Sequence, residues 1–80
     1  MPEIFREQGF RFFVFPNDHG PPHVHVVKDG FAVVLMLGGT STQPRVLRNA
    51  RMPDHWARQA LKILGRRQDE ALRAWEAIHD

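Results

Sequence analysis

Apolar and polar residues alternate along the first half of the chain and switch to a helical period in the second. Glu3 to Glu7 and Phe10 to Phe15 are runs rich in Ile, Phe and Val with Gln8-Gly9 between them, a pattern that predicts a hairpin. A second hairpin is predicted where His23 to Lys28 and Phe31 to Leu37 flank Asp29-Gly30, because Asp-Gly supplies the positive φ angles of a two-residue type I′ turn. Between the hairpins, Pro16-Asn17-Asp18-His19-Gly20-Pro21-Pro22 excludes a regular helix and leaves an ordered loop. The turn-rich connector Gly38 to Pro44 then leads to Arg45 to Asn49, a candidate short edge strand.

Pro53 suits the first turn of a helix and Asp54 its positive end, so a helix starts near here. Ala57, Leu61, Leu64, Ala71, Leu72, Trp75 and Ile78 recur at helical spacing, with Gln68 as the one polar residue on the stripe. Gly65 costs about 1 kcal/mol relative to Ala inside a helix and marks a place for a break, so one long helix or two nearly collinear ones fit. The expected class is α+β: an antiparallel sheet of four to five strands, from two hairpins, packed on one long or kinked C-terminal helix. The 80 residues suit a single domain, 1–80.

A two-residue turn at Asp29-Gly30 also fixes the pairing partners and therefore the faces. Val24, Val26, Phe31, Val33 and Leu35 form the more apolar face, expected to meet the helix through Leu61, Leu64, Leu72 and Trp75. His23 and His25 fall on the other face with Val27, Val34 and Met36. Two histidines at i and i+2 on a strand point the same way, about 7 Å apart by strand rise, and imidazole is the commonest metal-ligating side chain. His19, across Gly20-Pro21-Pro22, completes a candidate divalent metal site, zinc for example, of His19, His23 and His25, and the loop could equally return the Asp18 carboxylate. The plainer alternative is that the imidazoles hydrogen-bond the loop backbone and hold its prolines in place.

Composition narrows the function classes. Hydrophobic residues at 42% and charged residues at 25% are globular values, which argues against disorder. Zero Cys removes disulfides, thiolate metal sites and Cys nucleophiles together. The longest apolar run, Ala32 to Leu37, is far below a membrane span, and with no targeting segment read at the start the expected location is cytoplasmic. Ser41, the lone serine, sits in a turn without a nucleophile elbow. Charge is uneven: residues 45 to 67 hold seven basic side chains against Asp54 alone, within a chain of net charge +2. Arg58, Lys62 and Arg66, four apart on one helix face, are the candidate contacts for nucleic acid or an acidic partner, or simply a solvated face.

Phe12 to Val26, centred on Asp18-His19 and Pro21-Pro22-His23-Val24-His25, resembles a small bacterial family catalogued as domain of unknown function number 4160. The strand after Asp29-Gly30 and the helix bearing Leu72 and Trp75 extend the resemblance, while Arg51-Met52-Pro53 departs from it by interrupting an expected continuous helix. Members are often encoded beside another small protein and are regarded as candidate toxin–antitoxin components, so the resemblance implies a protein partner rather than a reaction. The leading expectation is a non-enzymatic binding module that contacts a small protein and also admits nucleic acid. The alternative is a metal-dependent hydrolase or ribonuclease built on the Asp18 to His25 segment, where a bound metal lowers the pKa of a water.

Overall fold

Both hairpins turn on a residue pair with positive φ. Gln8 and Gly9 (φ 55° and 83°) and Asp29 and Gly30 (50° and 83°) have the two left-handed central residues that match the twist of the flanking strands. The computed structural model describes residues 2–39 and 42–79; Thr40 and Ser41 of the connector lie outside them. Five strands, β1 (Glu3–Glu7), β2 (Phe10–Phe13), β3 (His23–Lys28), β4 (Phe31–Met36) and β5 (Arg45–Asn49), form one sheet in sequence order with antiparallel neighbours. The pairing of β3 with β4, from His23 with Met36 to Lys28 with Phe31, is the register that Asp29-Gly30 dictates. β5 adds an edge strand whose pairing with β4 shifts between Val34 and Leu35.

Two helices follow, α1 (Asp54–Arg66) and α2 (Gln68–His79). The break falls at Arg67 (φ −119°, ψ 22°), not at Gly65, which lies exposed within α1. Gln68 explains the position of the break. Its side-chain oxygen accepts from the Gly38 N–H at 2.8 Å, and its amide donates to the Gly39 and Thr42 carbonyls. The polar gap in the apolar stripe is thus a clamp on the connector before β5. Gly38 must be glycine here, since a Cβ would collide with the Thr42 carbonyl. Asn49 exchanges two hydrogen bonds with the Met52 backbone and leads the chain into α1.

The core lies between one sheet face and the helices. Phe10, Phe12, Val24, Val26, Val33 and Leu35 pack with Ala57, Ala60, Ile63 and Leu64. Of the predicted stripe, Ala57, Leu64, Ala71 and Trp75 are buried and Leu72 on α2 is half-buried. On α1, Ile63 and Ala60, outside the stripe, are fully buried and Leu61 is only half-buried, so the buried face of α1 is turned from the expected one. Trp75 is buried in the same core, and its ring also meets His23 (centroids 5.2 Å).

Charge ties the helix junction to the sheet. Arg66 donates to Glu7 at 2.7 Å, while Arg67 bridges Glu7 and Glu70 with its guanidinium 3.8 Å from the Phe5 ring centroid. The Arg66 hydrogen bond, helped by Arg67, holds the Glu7 carboxyl below its ordinary 4.5. A carboxyl lowered in the folded state contributes stability that is complete above the unfolded value and lost as pH falls through the folded one. Glu7→Gln therefore lowers the urea midpoint at neutral pH and leaves it nearly unchanged near pH 2. An equal loss at both pH values would contradict the pairing.

Candidate metal centre

Strand alternation and one loop turn assemble the site. His23 and His25 project from the face of β3 opposite the core, because Val24 and Val26 between and beyond them take the buried positions. The loop leaving β2 reverses at Phe15, whose carbonyl accepts from the Asp18 N–H at 3.1 Å. That turn returns the Asp18 carboxylate to the histidines. One oxygen, Oδ2, lies 2.9 Å from His25 Nε2 and 3.1 Å from His23 Nε2. All three side chains are largely shielded, at 24%, 25% and 13% exposure for Asp18, His25 and His23.

The His23 ring has a defined orientation. Its Nδ1 lies 2.9 Å from the Pro21 carbonyl, an acceptor only, so Nδ1–H donates and the neutral ring presents an unprotonated Nε2 to Asp18. A lone pair and a carboxylate oxygen do not sit 3.1 Å apart without a positive charge between or upon them. Either a proton on the ring or a metal ion supplies it. A second hydrogen bond that fixes the tautomer and aims the free nitrogen is the arrangement of metal-ligating histidines.

Asp18, His23 and His25 offer three ligand atoms within 4.8 Å of one another. Tetrahedral ligands about 2.0–2.1 Å from zinc stand roughly 3.4 Å apart, so the two short contacts need widen by only a few tenths of an ångström. The donor set, two imidazoles and a carboxylate, fits zinc and leaves one tetrahedral position free.

A shell of aromatic side chains holds the cluster. Phe15 meets the edge of His25 (4.7 Å), His23 and His25 lie 5.3 Å apart, and Trp75 is sandwiched between His23 (5.2 Å) and a stacked His79 (3.8 Å). His79 Nε2 reaches the Asp18 carbonyl at 2.8 Å, so the last turn of α2 anchors the loop that carries Asp18. The Asp18–His79 contact spans sixty-one residues of sequence and leaves no local trace in it.

The other residues singled out in sequence lie elsewhere. His19 is exposed and outside the ligand group. Arg58 and Lys62 are exposed on α1, which covers the opposite face of the sheet, and Arg66 is bound to Glu7. The plainer alternative for the imidazoles is also visible in part, since His23 does hydrogen-bond the loop backbone. Among the described residues no helix is long and apolar enough to cross a membrane.

Sheet and helix pair together define a small α+β domain with a histidine–aspartate cluster on the sheet face opposite the core. A family model described as a domain of unknown function, DUF4160, matches residues 9–76, and the chain belongs to that family. No curated protein and no solved structure gives a match.

Proposed function

We propose that the protein is a small metal-binding module in which Asp18, His23 and His25 hold one divalent ion, zinc being the best fit. The observation that carries this reading is the His23 ring, whose Nδ1–H is committed to Pro21 while its Nε2 faces a carboxylate oxygen at 3.1 Å. When bound, zinc would supply a Lewis-acidic centre with one position left for a water, a substrate or a partner's side chain. Three protein donors, which leave one tetrahedral position for a water, also favour a second reading, metal-dependent hydrolysis. A small protein partner of toxin–antitoxin type belongs to the proposal on the strength of the family resemblance alone.

Calorimetric titration of tag-free protein with zinc tests the centre. The expected result is one zinc per chain, with affinity reduced more than about a hundredfold in His25→Ala and Asp18→Asn, beyond what loss of an outer-shell partner costs. Circular dichroism of each variant separates ligand loss from unfolding. Uptake that is unchanged in both folded variants would overturn the proposal.

A further inference from the structure

The register of β5 places two arginines on the same face as the histidines. His25 pairs with Val34 and Val34 with Arg48, while His23 pairs with Met36 and Met36 with Arg45. Directly paired residues share a face, so two rows run from the centre to the edge of the sheet. At about 4.8 Å per strand, Arg45 and Arg48 begin about 10 Å from the histidine positions. Both are exposed, and neither makes an ion pair among the described residues. Arg6 on the far edge strand β1 and Arg11 beside it on β2 are instead both tied to Glu3.

We propose that the edge of this sheet face binds the backbone of a single-stranded nucleic acid, one phosphate at the Asp18/His23/His25 centre and its neighbours on the exposed Arg45 and Arg48. The first contact rests on the metal-centre reading; the arginine contacts do not. Guanidinium groups take phosphate oxygens in paired hydrogen bonds, and a metal ion with a free position takes one directly. The half-buried Phe15 ring at the centre provides a surface against which a base stacks. An acidic peptide would satisfy the arginines but has no use for that ring. A second copy pairing edge to edge through β5 would bring Arg45 and Arg48 against like charge.

The test is fluorescence anisotropy of a labelled oligouridylate of about ten nucleotides with zinc-loaded protein, between about 50 and 200 mM salt. Replacing Arg45 and Arg48 together by Gln should weaken binding about tenfold or more and reduce the log–log salt slope by about 1.4, at about 0.7 per phosphate contact. Replacing Arg58 and Lys62 by Gln should change affinity by less than about twofold. Zinc affinity of the Arg45/Arg48 variant, measured separately, should equal that of the parent. Absence of binding at low salt, equal binding of a polyglutamate peptide, or loss through Arg58 and Lys62 instead would overturn the proposal. If the chain takes up no zinc yet binds oligouridylate through Arg45 and Arg48, the metal-centre reading falls and the phosphate surface stands; zinc uptake without oligonucleotide binding does the reverse.

Discussion

Phe12→Ala should cost about 3–5 kcal/mol, the range for truncating a buried phenylalanine. At typical stability per residue a chain of this length has roughly 4–12 kcal/mol in all, so the variant is expected to be largely or partly unfolded at room temperature. Phe12 is fully buried on the core face of β2, pairs with Val26, and has the Phe5 ring 4.6 Å away. Its removal opens a cavity beneath α1 that rigid β2 and β3 cannot close. Leu72→Ala, by contrast, should cost clearly less than the 2–5 kcal/mol typical of buried leucines, because Leu72 is only half-buried on α2. Urea unfolding of the two variants side by side gives the ranking; a larger loss at Leu72 than at Phe12 would mean that the helix pair packs through a different face.

The second large effect is stabilisation by metal. A ligand that binds only the folded chain adds about 2.7 kcal/mol at a concentration one hundred times its Kd. For a domain of this size each kcal/mol moves Tm by about 4–8 °C, so saturating zinc should raise Tm by roughly 10–20 °C. The gain should vanish in a variant lacking both His23 and His25, and it should shrink on acidification because protons compete for the ligands. The ion would fasten the loop at Asp18 to β3, the same loop that α2 holds through His79. Thermal scans of parent and variant with and without chelator make the comparison. An equal shift in both would place the metal elsewhere on the chain.

What could be read from the sequence divides along local and long-range lines. Asp29-Gly30 set the β3–β4 register, and that register alone put His23 and His25 on one face and Val24 and Val26 on the other. The edge strand at Arg45–Asn49 was also legible as an element, but its faces were not. A register shift opposite Val34 and Leu35 decides which side Arg45 and Arg48 take, and no local signal announces it. Propensity marks Gly65 as a place where the helix can break and leaves one long helix or two open, yet a glycine facing solvent on a packed helix is tolerated, and the bend falls at Arg67, where Arg67 and Gln68 make their tertiary contacts. Burial of Ile63 in place of Leu61 follows from the same cause, since the bend and the clamp together set the roll of α1 on the sheet. In the site, Asp18 was within reach by chain geometry, whereas Trp75 and His79 arrive from the far end of the chain through packing alone.

X-ray absorption at the zinc edge of the loaded, tag-free protein tests the central claim most directly. The account predicts one zinc with two imidazole nitrogens at about 2.0–2.1 Å and a carboxylate oxygen at about 2.0–2.2 Å, with one imidazole lost in His25→Ala. A zinc shell with fewer than two imidazoles in the parent protein, or one that His25→Ala leaves unchanged, would contradict it.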